Sequence, residues 1–244
     1  MVKAIDNIEN RLCDAIAFYW QTRQQQQSKQ TRGGRSDQGA RSAVTGGAQM
    51  SKIIHLLTDI IIEAGAKPED IFHNKALKLP GFFRPTKEWD LLVIRQQQLV
   101  VAIEVKSQVG PSFGNNFNNR TEEAMGSALD LWTAFREGAF NSTIRPWLGY
   151  LFLLEDCSRS TRPVRTRESH FPVFPEFKDA SYAKRYELFC RKLVRERHYT
   201  SAAFLMSPRT GGLNGEYTEP AQDLAFQLFA KSLAAQISIY KESQ

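Results

Sequence analysis

Two apolar, β-branched stretches, residues 91–94 and 99–105, stand on either side of the polar tetrapeptide Arg95-Gln96-Gln97-Gln98. Runs of that length and composition are strands, and so short a polar break joins them as a hairpin. The second run is interrupted. Glu104 sits inside it and Lys106 follows two positions later. Side chains two apart on a strand share a face, so Glu104 and Lys106 point the same way. If the loop is the three residues 96–98, Arg95 pairs with Leu99, and counting back sets Asp90 directly opposite Glu104. Such partners lie about 5 Å apart at Cβ. A loop of two or four residues would send Asp90 to the other face, so the juxtaposition hangs on the parity of the turn.

Two carboxylates that close repel, and one takes up a proton unless a cation lies between them. Mg²⁺ suits the place, because it accepts one or two carboxylates and completes its octahedron with water and phosphate oxygens. It polarises a phosphoryl oxygen and acidifies a bound water. The Lys106 ammonium would hold or help deprotonate that water and offset charge building on the phosphorus oxygens. Asp90, Glu104 and Lys106 are therefore the candidate catalytic residues, with Asp90 and Glu104 as metal ligands, for cutting a phosphodiester backbone. The competing account is an edge acid beside an exposed Glu/Lys pair on a solvated face.

Asp-x(13)-Glu-x-Lys on consecutive strands resembles the PD-(D/E)xK nuclease signature. The wider text is similar to the XhoI family of type II restriction endonucleases, over most of the chain: Glu-Trp-Asp-Leu-Leu-Val at 88–93, Ile-Glu-Val-Lys-Ser-Gln at 103–108, and Ser-Phe-Gly-Asn-Asn-Phe-Asn-Asn-Arg-Thr-Glu-Glu-Ala at 112–124. The resemblance implies an α/β fold with a mixed sheet flanked by helices and Mg²⁺-dependent double-strand cleavage at the palindrome CTCGAG, leaving 5′-phosphate ends. It also implies a companion methyltransferase acting on the same site. One position departs from the pattern: Trp89, not proline, precedes the first acid.

At 244 residues the chain has the length of one nuclease domain, 1–244. No apolar run is long enough to span a membrane and no signal peptide opens the chain. Three widely spaced cysteines (Cys13, Cys157, Cys190) suit a reduced cytoplasm better than a disulfide framework. His55, His73, His170 and His198 show no zinc-ligand spacing, so each reads as a surface or capping residue. Thirty-two Lys and Arg stand against 26 Asp and Glu, a balance that fits a polyanionic partner such as double-stranded DNA.

Hydrophobic periodicity predicts a helix over 4–20 with Ile5, Ile8, Leu12, Ile16 and Tyr19 on one stripe, and another over 49–63. Between them, residues 21–47 carry a glutamine run, two Gly-Gly pairs and five basic side chains against Asp37, which reads as a flexible basic loop. Glu63 could approach the metal; a solvated last-turn acid is the simpler account. Pro80, Gly81 and Pro85 predict irregular chain. After the hairpin come a Gly/Asn-rich loop over 110–119 and a helix over 120–135 burying Met125, Ala128, Leu129, Trp132 and Phe135. A buried strand follows over 147–154. Then come a helix capped by Asp179 or Ser181, a strand over 202–206, and a last helix opened by Pro220. The order α, β-hairpin, α, β, α, β, α implies a mixed sheet between helices.

Three segments compete to read the DNA. Asn115, Asn116, Asn118, Asn119 and Arg120 start just past the catalytic strand, and Asn and Arg pair with adenine and guanine edges; Asn and Gly also simply make turns. Arg159, Arg162, Arg165 and Arg167 lie among hydroxyls after a buried strand, and arginine's fork suits guanines and phosphates. The basic residues of 191–197 have helical spacing and read as the polar face of an amphipathic helix. A palindromic target implies a homodimer, one active site for each strand. The alternatives are a non-specific or repair nuclease of the same fold, or a non-catalytic DNA-binding module. A binding surface gains nothing from two acids facing a phosphate.

Overall fold

The computed structural model describes residues 7–32, 47–141 and 144–242. In chain order the elements are α1 (Ile8–Arg32), α2 (Ser51–Glu63), β1 (Ile71–Phe72), β2 (Lys78–Pro80), β3 (Thr86–Glu88), β4 (Leu91–Arg95), β5 (Gln98–Gln108), α3 (Phe113–Arg136), β6 (Trp147–Asp156), the single turn α4 (Ser158–Thr161), α5 (Tyr182–Arg195), β7 (Ser201–Pro208) and α6 (Phe226–Glu242). Five strands form one sheet in the order β1-β4-β5-β6-β7, while β2 and β3 form a separate small hairpin. Pairing is antiparallel from β1 to β5 and parallel from β5 to β7, so the sheet is mixed.

Alternation along the strands splits the core in two. Leu91, Val93, Ile103, Leu151, Leu153 and Leu205 pack on one face with α1, α2 and α6. Leu92, Ala102, Tyr150, Phe152 and Phe204 pack on the other with α3 and α5. Asp90, Glu104 and Lys106 belong by parity to the second face.

The hairpin reaches that parity by a different route from the three-residue loop. The turn holds two residues, Gln96 and Gln97, both at positive φ (50° and 62°), as the right-handed twist of a tight hairpin favours. Arg95 pairs with Gln98 and Ile94 with Leu99. The register then shifts, and Val93 pairs with Val101. Val100 is the extra residue of a β-bulge. It joins Val101 in the core under α1 and α2, while Leu99 and Ala102 face the other way. A two-residue turn plus one bulged residue has the parity of a three-residue loop. Leu91 therefore pairs with Ile103, which places Asp90 opposite Glu104.

Helix α1 continues to Arg32, beyond the residue-21 start of the expected loop. Residues 21–32 contain neither Gly nor Pro and are rich in Gln, Lys and Arg, which are good helix formers. The rest of that segment, 33–46, and Ile5 lie outside the described residues.

Helix α3 starts at Phe113, seven residues earlier than expected. Phe113 packs against Tyr182, and Phe117 against Tyr186 and Phe189, and this packing overrides the poor helix propensity of the asparagines. Its buried face is also rotated. Ala124, Ala128, Leu131 and Trp132 are buried, as are the polar Ser127 and Asp130, whereas Met125 and Leu129 are exposed.

Ser181 caps α5 by accepting the Lys184 N–H at 3.1 Å. The last helix begins at Phe226 rather than Pro220; its first amide donates to Glu219 Oε1 at 2.6 Å. Leu224, Leu233 and Ile237 are buried, and Leu228 is exposed.

Candidate active site

Asp90 stands one residue before β4. Its amide donates to Ile103 O at 3.1 Å, and its Oδ2 accepts the Val105 amide at 2.8 Å. These bonds fix the carboxylate against β5. Glu104, on β5, is 3% exposed. Lys106 Nζ lies 3.0 Å from Glu104 Oε1 and 3.4 Å from Asp90 Oδ2. The structure thus brings together the three residues that spacing singled out.

Two further side chains close on Glu104. Lys87, from β3, places Nζ 3.2 Å from Glu104 Oε1 and 4.5 Å from the centre of the Trp89 ring. The Tyr199 hydroxyl lies 3.2 Å from both Glu104 Oε2 and Ala124 O of α3. Sequence reasoning missed both. Lys87 sits on a three-residue strand too short to show alternation, and Tyr199 lies far down the chain with no local signature. The small hairpin that carries Lys87 forms where Pro80, Gly81 and Pro85 predict irregular chain.

Burial pushes the Glu104 carboxyl up, but Lys106 and Lys87 outweigh it and hold it below the ordinary glutamate value. Burial likewise pulls Lys106 down, and Glu104 with Asp90 outweighs it, so the ammonium is held above the ordinary lysine value. Both groups are charged at neutral pH. Lys106 is then a donor of hydrogen bonds and positive charge; it takes a proton from water only after its carboxylate partners have been drawn elsewhere. Burial and the neighbouring Glu104 keep the Tyr199 phenol protonated.

The acids suit a small hard cation. One ammonium reaches an oxygen of each, so a single cation position serves both. The Asp90 side chain is 33% exposed, leaving an open side for water and phosphate. Among the described residues no cluster of three or more His, Cys, Asp and Glu side chains forms a metal cage. Two carboxylates with an open side suit a divalent cation that takes oxygen ligands rather than a structural zinc. Glu63 is engaged elsewhere: Arg11 Nη1 holds its Oε1 at 2.8 Å and Arg11 Nη2 holds Asp59 at 3.1 Å, linking α1 to α2. His55 and His73 meet edge to face at 5.4 Å. They line a cleft of about 500 Å³ with Gly47, Glu88 and Asp90, so two histidines that read from spacing as separate surface residues share a wall with a catalytic candidate.

The candidate DNA-binding residues follow the β5–α3 connection in the chain. Asn115, Asn116, Asn118, Asn119 and Arg120 occupy the first two turns of α3, not a loop. Asn115, Asn118 and Asn119 are exposed, Arg120 bonds Glu123 at 2.6 Å, and the charge of Arg120 is felt at Lys106. Arg159 lies on α4, and Arg162, Arg165 and Arg167 on the chain that follows; all four are exposed. Arg159 and Arg162 line one cleft with Pro111, Ser112 and Gly114 at the start of α3, so these two segments are neighbours. Glu155 supports the junction: it accepts the Gly110 amide at 2.8 Å and pairs with Arg209 at 3.2 Å. The third segment is spent on structure, with Arg191 bound to Asp223 and Glu187 and Lys192 to Glu176. No described helix is long and apolar enough to cross a membrane.

Residues 29–219 match the family model described as restriction endonuclease XhoI. The type II restriction enzyme BstVI of Geobacillus stearothermophilus is 55% identical over 207 residues, 83% of this chain and 92% of that protein. The type II restriction enzyme XhoI of Xanthomonas vasicola is 51% identical over 162 residues, 66% of this chain and 65% of that protein. The type II restriction enzyme AbrI of Azospirillum brasilense is 46% identical over 172 residues, 70% of this chain and 77% of that protein. No solved structure matches the chain. A mixed sheet presenting two acids and a lysine to one cation position, together with a match spanning most of the sequence, leads to one conclusion: the chain belongs to the XhoI restriction endonuclease family.

Proposed function

We propose that this protein is a type II restriction endonuclease that cuts both strands of DNA at the palindrome CTCGAG with Mg²⁺, leaving 5′-phosphate ends. The observation that carries the reading is the Lys106 ammonium shared by Asp90 and Glu104, which supports a site where two acids can share one cation. Asp90 and Glu104 would hold the metal. When bound, it supplies Lewis acidity at a phosphoryl oxygen and a water of lowered pKa. Lys106 orients the attacking water and offsets the charge that grows on the phosphorus oxygens. Tyr199 holds the far oxygen of Glu104, leaving its near oxygen for the cation. Lys87 supplies the second positive charge beside Glu104, one that would be available to a phosphate oxygen.

On this reading the start of α3 (Asn115, Asn116, Asn118, Asn119, Arg120) and Arg159, Arg162, Arg165 and Arg167 touch the duplex. The whole chain acts as one nuclease domain. Two copies act as a homodimer in the cytoplasm, where a methyltransferase protects the host's copies of the site.

The test is digestion of plasmid DNA with and without Mg²⁺, followed by ligation of the products. Discrete, religatable fragments cut at CTCGAG are expected. A smear would make the protein a non-specific nuclease, and intact DNA bound by the protein would reduce it to a binding module.

A further inference from the structure

The turn of the β2–β3 hairpin presents two aromatic rings to solvent. Phe82 is 52% and Phe83 66% exposed, with the rings edge to face at 5.0 Å. The turn is clamped from below. The amides of Phe82 and Phe83 both donate to Asp130 Oδ1 at 2.8 Å, and Arg84 Nε donates to Asp130 Oδ2 at 2.7 Å. Asp130 belongs to α3 and is 3% exposed. Arg84 also reaches Ser127, and the Gly81 amide bonds Pro85 O at 3.3 Å. A Cβ at Gly81 would lie 2.6 Å from both Arg84 O and Asp130 Oδ2, so only glycine lets the turn sit this close to the helix. A buried carboxylate is therefore committed to holding two apolar side chains out in water, an arrangement that marks a binding surface.

The surroundings select the partner. Residues 73–88 carry Lys75, Lys78, Arg84 and Lys87 against Glu88, and with Arg84 held by Asp130 and Lys87 by Glu104 the exposed cations beside the rings are Lys75 and Lys78. Lys87 touches Glu104. Four Cα-to-Cα steps, at most about 14 Å of extended chain, lead from Phe83 to Lys87, a reach of about four base steps. Apolar side chains that enter the minor groove between base steps, flanked by basic residues, unstack the step and kink the duplex.

We propose that Phe82 and Phe83 form a preorganised aromatic wedge that inserts into the DNA within about four base pairs of the cleaved bond. This rests on the endonuclease reading above. The occupant is a nucleic-acid duplex, because the exposed cations Lys75 and Lys78 border the rings and the same hairpin carries Lys87 into contact with Glu104.

The experiment uses the full-length protein with Ca²⁺ in place of Mg²⁺, and duplexes carrying the target with 2-aminopurine in place of successive adenines near the cut. Binding of the unaltered protein is expected to raise the fluorescence at one position. In the double variant Phe82→Ala/Phe83→Ala that rise disappears and affinity falls roughly tenfold to a hundredfold. The slope of log affinity against log salt stays unchanged, since the same cations still neutralise the same phosphates. Phe82→Trp/Phe83→Trp restores the signal. Unaltered fluorescence and affinity in the alanine variant would overturn the proposal. So would dissociation of a dimer into monomers that keep the fluorescence rise, which would assign the rings to a second copy of the chain. If the unaltered protein neither binds the duplex nor cuts plasmid, the endonuclease reading itself has failed and the wedge falls with it.

Discussion

The molecule carries two dense groups of charge, arranged in opposite ways. At the β4–β5 ribbon, Asp90, Glu104, Lys106 and Lys87 are interlocked within 3.0–3.4 Å. Two negative charges are matched by two positive ones, and Glu104 is buried. Around Arg159, Arg162, Arg165 and Arg167 the side chains are exposed, and among the described residues none of the four reaches an acid within ion-pair distance. A buried, self-neutralised cluster is shielded from salt and preorganised for chemistry. An exposed group of unmatched cations is screened by salt and suited to a polyanion that brings the missing charge. On the proposed reading, one region reacts and the other holds.

That contrast breaks most visibly at the acids. Glu104→Ala or Asp90→Ala is expected to lower the cleavage rate by at least about 10³-fold with the circular dichroism spectrum unchanged; full turnover by either variant would remove the metal argument. Lys106→Ala should cost the chemical step about 10²-fold in single-turnover kinetics and change DNA affinity far less. The reverse pattern would move Lys106 from the reacting group to the holding group. Replacing the four arginines together should leave the single-turnover rate of bound DNA intact. It should also flatten the salt dependence of binding by about 0.9 log unit for each phosphate no longer neutralised. An unchanged slope would take that segment out of the interface.

Lys87→Met removes the cation that competes for Glu104 Oε1. It is expected to tighten Mn²⁺ binding to the DNA-free protein about tenfold by titration calorimetry, and equal or weaker binding would leave Lys87 a purely structural lysine. The smallest effect concerns pH. Glu104 and Asp130 both have carboxyls held below their ordinary values. Their contribution to stability is therefore present above the unfolded carboxylate range and lost as pH falls through the lower folded values. Asp130→Asn should flatten that acid limb of unfolding, and a limb of unchanged steepness would show that the Phe82–Phe83 clamp adds no pH-dependent stability.

The sheet and the ribbon were legible because burial writes itself into residue type. The run of apolar residues at 147–154 became β6, and the stripe Ile8, Leu12, Ile16 and Tyr19 became the buried face of α1. Where tertiary packing outweighs local preference, the reading failed. Phe113 and Phe117 pull asparagine-rich chain into helix. Ser127 and Asp130 are drawn inward to bind Arg84, turning Met125 and Leu129 out to water. At the site, Asp90, Glu104 and Lys106 were visible because strand periodicity links them. Lys87 and Tyr199 reach Glu104 from separate elements, and nothing in their own neighbourhoods points to it. The opposition of Asp90 and Glu104 follows from a three-residue loop on paper and from a two-residue turn with a bulge in the fold.

That substitution of one route for another has a consequence for how such enzymes are sought and altered. The interval between the two acids counts amino acids, whereas their meeting depends on pleats, and Val100 is counted in the first sum but not the second. Shortening the ribbon by deleting Val100 alone would leave Asp90, Glu104 and Lys106 in the text while turning the two carboxylates back to back. Deleting Val100 and adding one residue to the turn would bring them together again.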